Sequence, residues 1–390
     1  MTKAGWVREP VILSFKDDAK VTETYGFAGT SGYVHLEGQY FRAPGSARKT
    51  IFLFMHPSTT LNLMPMPSAL ADAGYHVLCA ASRYPKNDSA LIMEKAALDM
   101  AAWVRDAREA QGYENVVLVG WSGGGALSLF YGAQAEKATI THTPAGDVVD
   151  LTAAELLRPD GIIFIAAHLS RAETVTEWID PSVTDEFQPD IRDPELDIYA
   201  ADCPNKPPFN AAFIERFRQA QRDRNQRITD WCEGMLEELK RRDTPEKERA
   251  FVVHRTMCDV RWIDPLVDPN GRRPNWCYLG DPRTANVAPV GLARYTSLRS
   301  WLSQWSYARS NAKGSDNAAR IRETPILQIE NEADDAVPAT HNPTIWAKLV
   351  TPDKNYHRIM GATHYYVGQP DHLAECIDTI EAWSERHGFL

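Results

Sequence analysis

The chain has 390 residues, 44% hydrophobic and 24% charged, and a formal net charge of −10. That length can bury a large core; it is long for one simple domain and short for three. An acidic balance with no basic stripe argues against nucleic acid or an anionic membrane as partner, and no apolar stretch approaches the roughly 18 residues a membrane span needs.

In chain order, the first fifty residues hold strand-like runs at Val11–Phe15 and at Gly32–Phe41. The second alternates between apolar and polar residues and is broken by glycines, as antiparallel hairpins are. The rhythm then changes to continuous apolar runs at Thr50–Met55, His76–Ala80, Val116–Val119 and Gly161–Ala167. Such runs suit strands covered on both faces of a parallel sheet. Between them, Ser89–Ala110 places Ala96, Ala97, Met100, Trp103, Val104 and Ala107 at helical spacing. Strand–helix alternation of this kind predicts a doubly wound, mostly parallel α/β sheet with an N-terminal antiparallel hairpin. From Leu169 to Glu323 the rhythm is lost. A polar helical stretch at Phe213–Arg242 lies there, with Trp178, Trp231, Trp262, Trp276, Trp301 and Trp305. Side chains that large need burial, so residues 169–323 read as a large inserted cap over the sheet's carboxyl edge. The sheet resumes at Pro325–Ile329 and Asn355–Ile359, and a closing helix spans His372–His387, which makes residues 1–168 and 324–390 the core.

The run Val116–Val119 leads directly into Gly120-Trp121-Ser122-Gly123-Gly124, and helix-compatible residues 126–131 follow. A strand-to-helix turn this tight strains its central residue, requires small neighbours, and lifts the serine hydroxyl above the sheet edge beside a helix N-terminus. Ser122 is therefore the candidate nucleophile, with a structural glycine-rich turn as the alternative. A serine needs a base oriented by a third group. His364, in Gly361-Ala362-Thr363-His364, follows the last expected strand, where α/β sheets place their sites; a loop histidine bonded to its own backbone is the other reading. Two aspartates, Asp334 and Asp335, follow the preceding strand and offer the carboxylate, although either could serve an Asx-turn or a helix cap. For an oxyanion, the Gly123 amide is one expected donor. The second belongs to the loop Met55-His56-Pro57-Ser58-Thr59, where Pro57 has no N–H and Ser58 is the natural donor, with Thr59 next.

The order Ser122, Asp334, His364, with G-W-S-G-G, D-x-x-V-P and G-A-x-H, resembles the α/β-hydrolase superfamily over roughly residues 50–168 and 324–390. The resemblance implies Ser122 as nucleophile, His364 as general base and acid, and Asp334 as the orienting acid, with Asp335 as the alternate. It disfavours dehalogenase and epoxide-hydrolase chemistry, which use an aspartate at the elbow. The chain departs from the pattern at His56-Pro57, where His-Gly is usual, and at Asn331, where glycine usually precedes the acid.

The expected activity is that of a serine hydrolase acting on an ester, lactone or thioester through an acyl-enzyme. Carbon–carbon bond hydrolysis of a ring-fission diketone, acyl transfer, or a non-catalytic receptor on the same scaffold are the rivals. Met64, Met66, Trp121 and the cap tryptophans suggest a fairly apolar or aromatic substrate, with ordinary core packing as the competing role. His56 and His168 are further candidates for the pocket. Arg171, Arg255, Arg261 and Arg294 could bind a substrate carboxylate, though solvated surface positions suit them better. The N-terminal residues Met1–Pro10 lack the apolar region of a secretory signal. The six scattered cysteines (Cys79, Cys203, Cys232, Cys258, Cys277, Cys376) predict free thiols in a reducing cytoplasm, although Cys258 and Cys277 could pair under oxidising conditions. No metal-type spacing and no cofactor is indicated. The expected partner is a small-molecule substrate, and a homodimer stays open.

Overall fold

The structure is a computed structural model that describes residues 5–17 and 31–389. Its centre is an eight-stranded sheet in the order β1-β2-β4-β3-β5-β6-β9-β10. Strands β1 (Val7–Lys16) and β2 (Tyr33–Arg42) pair antiparallel over their whole length, and β2 runs antiparallel to β4 (His76–Ala81). The segment 18–30 between β1 and β2 lies outside the described residues. The other strands, β3 (Thr50–His56), β5 (Asn115–Trp121), β6 (Gly161–Ile165), β9 (Ile326–Asn331) and β10 (Lys354–Ile359), are mutually parallel.

Each buried strand feeds two cores by alternation. One face sets Ile51, Leu53, Leu118, Ile162 and Phe164 against α2 (Met93–Arg105) and α3 (Gly123–Glu136). The opposite face sets Phe52, Phe54, Val117, Val119 and Ile163 against α1 (Pro65–Asp72) and the final helix (Pro370–His387), which contributes Ile380 and Trp383. Covered on both sides, these strands carry continuous rather than alternating apolar sequence, and the sheet is doubly wound as the runs imply.

The expected helix at Ser89 begins four residues later. The reason lies far away in the chain: the Met93 amide donates to Ser303 Oγ (2.8 Å), and the same hydroxyl donates to the buried Glu94 carboxylate (2.8 Å). The cap of α2 thus comes from the segment between β6 and β9. That segment adds no strand to the main sheet. It holds α4 (Arg171–Trp178), α5 (Ala211–Arg241) and a separate pair of short strands, β7 (Ala250–Val252) and β8 (Tyr295–Ser297). Its tryptophans are mostly its own core: Trp301 and Trp305 pack on Ile228, Cys232 and Leu236 of α5, and Trp178 packs on Trp262. Trp231 and Trp276 are only half-buried.

All six cysteines are free and buried, so Cys258 and Cys277 are not joined. Among the described residues, no helix is long and apolar enough to cross a membrane.

Candidate active site

Ser122 stands between β5 and α3 with φ +54° and ψ −123°, a sparsely populated conformation that costs on the order of 1–3 kcal/mol. Its neighbours explain how the turn survives. A Cβ on Gly120 would stand 2.5 Å from the Gly125 Cα, one on Gly124 2.4 Å from the Met55 carbonyl, and one on Gly125 2.4 Å from the Ala167 Cβ. The backbone at Ser122 is held on both sides: its amide donates to Ile165, and its carbonyl accepts from Gly125 (3.1 Å) and His168 (3.2 Å). The side chain opens into a cavity at the amino end of α3, the positive end of that helix's dipole.

His364 faces the same cavity, and its Nδ1 lies 2.8 Å from Asp334 Oδ2. The other Asp334 oxygen accepts the amides of Ala336 and Val337, both at 2.7 Å, which fixes the carboxylate plane. Asp334 rather than Asp335 meets the imidazole. Burial, and then the neighbouring Asp334 charge, raise the Asp335 pKa. Trp121 locks the ring from the other side: its indole N–H donates to the His364 carbonyl (3.2 Å) and the two rings lie 4.5 Å apart.

Asn331 at the end of β9 has a positioning role that its residue type alone did not reveal. It donates to the Thr363 carbonyl (2.8 Å) and accepts from the Tyr366 hydroxyl (2.7 Å), so the acid-bearing strand is tied to the loop carrying His364. A glycine there could make neither bond. The signal in the sequence was the departure from the expected glycine.

The loop after β3 departs from expectation. Ser58 and Thr59 do not aim their amides at the nucleophile; both donate to His56 Nδ1, at 3.2 and 3.1 Å. A buried ring nitrogen with a free lone pair takes the nearest donors, and these are they. Burial, then the neighbouring Arg171 and His364, push the His56 pKa down to about 3. His168 is similar: its Nδ1 pairs with the Thr174 hydroxyl (3.1 Å), and burial, then His341 and His364, hold its pKa well below the ordinary value.

A sequence model described as the α/β hydrolase fold matches residues 57–144. The chain also superposes over nearly its full length on solved structures. DcsB in complex with its substrate analogue gives a TM-score of 0.53 at 12% identity, covering 97% of this chain and 99% of that one. A soluble variant of monoglyceride lipase from Saccharomyces cerevisiae, in complex with a substrate analog, gives 0.51 at 9% identity, covering 99% of each chain. A hypothetical protein from Pseudomonas aeruginosa gives 0.51 at 12%, covering 99% and 95%. This chain has the α/β-hydrolase fold. No curated protein sequence matches it.

Residues from the β6–β9 segment roof the cavity into which Ser122 opens. The cavity above Ser122 measures about 370 Å³ and combines Met64, Trp121 and Tyr365 from the sheet side with Trp178, Tyr278 and Leu292 from the roof. Met66, in contrast, is fully buried core. A larger depression of about 920 Å³, lined by Thr143, Asp147, Lys247 and Arg299 among others, contains neither Ser122 nor His364.

The four arginines are not solvated. Arg255 pairs with Asp180 (2.6 Å) and Asp197 (2.8 Å), Arg261 pairs with Glu177 (2.6 Å) and Asp259 (2.5 Å), and Arg294 donates to the Asn286 carbonyl. Arg255 and Arg261 neutralise acids of the roof, and Arg294 is buried against that carbonyl rather than facing water. Arg171 alone reaches the cavity. It pairs with Asp88, donates to Gln304 Oε1 (2.7 Å) and to Ser58 Oγ (3.4 Å), and stacks over Trp305, so it clamps the roof to the loop after β3.

Proposed function

We propose that this chain is a serine hydrolase that cleaves a carboxylic ester, lactone or thioester of a fairly apolar or aromatic small molecule. The observation that carries this reading is the Asp334–His364 pair at 2.8 Å, opening into the same cavity as the strained Ser122. His364 Nε2 takes the Ser122 proton as Oγ adds to the carbonyl carbon, and Asp334 stabilises the imidazolium through Nδ1–H. The leaving alcohol or thiol departs with that proton, and a water activated by the same imidazole releases the acid. The Gly123 amide, at the start of α3, is one donor to the oxyanion. Residues 169–323 act as the cap that shapes the acyl or alcohol pocket. The aromatic and aliphatic walls suit an uncharged, apolar portion of substrate, and the volume suits a small molecule. Ser122→Ala should reduce turnover of p-nitrophenyl esters to background with the circular dichroism spectrum and Tm unchanged. Retention of most activity would refute the assignment.

A further inference from the structure

His56 ends β3 with its Nδ1 lone pair occupied by two backbone amides, so the ring hydrogen is on Nε2. Among the described residues Nε2 has no hydrogen-bond partner. It stands so close to Gly123 that a Cβ there would lie 2.7 Å from it, and His56 lines the cavity that holds Ser122. A G-x-S-x-G turn leaves the position after the serine free, yet here only glycine makes room for the imidazole. The backbone donors that the loop could otherwise supply are unavailable: Pro57 has no N–H, and Ser58 and Thr59 spend theirs on the far ring nitrogen.

We propose that His56 is a catalytic residue whose Nε2–H, together with the Gly123 amide, donates to the oxyanion formed when Ser122 adds to the substrate carbonyl. The proposal rests on the serine-hydrolase reading and assigns the second donor within it. No proton leaves His56. As the Oγ–C bond forms, the carbonyl π pair moves onto oxygen and is held by the two N–H groups; it returns when the leaving group departs with the proton carried by His364. Burial keeps the ring neutral through the neutral pH range, so its hydrogen-bonding pattern is constant there.

His56→Asn and His56→Gln separate this role from simple loop support. Asparagine offers an oxygen near the Nδ1 position to hold the Ser58 and Thr59 amides but no donor near Nε2. Glutamine extends an amide N–H toward the Nε2 position. His56→Asn should lower kcat for an activated ester about 10²–10³-fold with KM within about threefold, as loss of one oxyanion donor does. Its affinity for an aryl trifluoromethyl ketone, which becomes a tetrahedral adduct on Ser122, should fall in parallel, and His56→Gln should recover at least about tenfold of the loss. Gly123→Ala, whose Cβ displaces Nε2, should show the same paired loss and covers the case in which His56→Asn does not fold. Kinetics and ketone affinity near wild type in His56→Asn, or in a folded Gly123→Ala, would overturn the assignment. A wild-type protein that neither hydrolyses activated esters nor binds the ketone would instead overturn the hydrolase reading on which it rests.

Discussion

Asp334 and Asp335 are neighbours with different electrostatic surroundings. Asp334 receives the His364 ring and two backbone amides; Asp335 is half-buried beside that charge, and both effects raise its pKa. Asp334→Asn should therefore cut kcat by about 10⁴-fold, since an asparagine favours the wrong histidine tautomer, whereas Asp335→Asn should cost less than about tenfold. Equal losses in steady-state assays of the two variants would contradict this division. Asn331→Leu removes both ties between the end of β9 and the His364 loop, the one to the Thr363 carbonyl and the one from the Tyr366 hydroxyl. A loss of about 2 kcal/mol or more in stability, with kcat falling more than KM rises, is the expected outcome. At this scale the sequence carried Ser122, Asp334 and His364, because each lies in a short motif at a strand end. It did not carry the ring orientation of His56, because a histidine's two nitrogens are assigned only by the groups that surround them.

The elements divide along a similar line. The continuous apolar runs marked β3, β4, β5, β6 and β9 to within a few residues, since burial on both faces leaves no other pattern. The start of α2 was not legible, because its capping hydroxyl belongs to Ser303, in the segment between β6 and β9. Helix α5 was legible only in outline: its buried face interrupts the apolar positions with Gln221, Arg224 and Asn225, each satisfied by distant backbone or side-chain partners. Two glycine substitutions test the packing at this scale. Gly124→Ala drives a Cβ to 2.4 Å from the Met55 carbonyl and should destabilise by about 3 kcal/mol or more, read from the denaturation midpoint. Gly234→Ala, on the exposed face of α5 with nothing within 4 Å of the new Cβ, should stabilise by about 0.5–1 kcal/mol.

At the scale of the whole molecule, the roof and the sheet share one set of buried charges and rings. Arg171 reaches from α4 to Asp88 and Ser58, Ser303 caps α2, and His168 sits beneath α4 beside His341 and Trp178. Most of these contacts join residues about 80 to 210 positions apart and leave no periodicity, so the packing of the roof on the sheet was not legible in the sequence. They also predict acid sensitivity. His56 and His168 are kept neutral in the fold, whereas unfolded histidines take up a proton near pH 6.5. Below that pH the unfolded state binds more protons, so stability should fall on acidification, by up to about 1.4 kcal/mol per pH unit for each ring. Urea unfolding of His168→Phe between pH 7 and pH 5 should show a shallower loss than wild type; parallel curves would show that His168 does not carry the effect. The central claim, an acyl-enzyme on Ser122, is tested most directly by intact-protein mass spectrometry after a rapid acid quench from an activated acyl ester. The account predicts one acyl mass on the wild-type protein, mapped by peptide digestion to Ser122, and none on Ser122→Ala. Ester turnover with no adduct on Ser122, or an adduct of equal yield on Ser122→Ala, would contradict it.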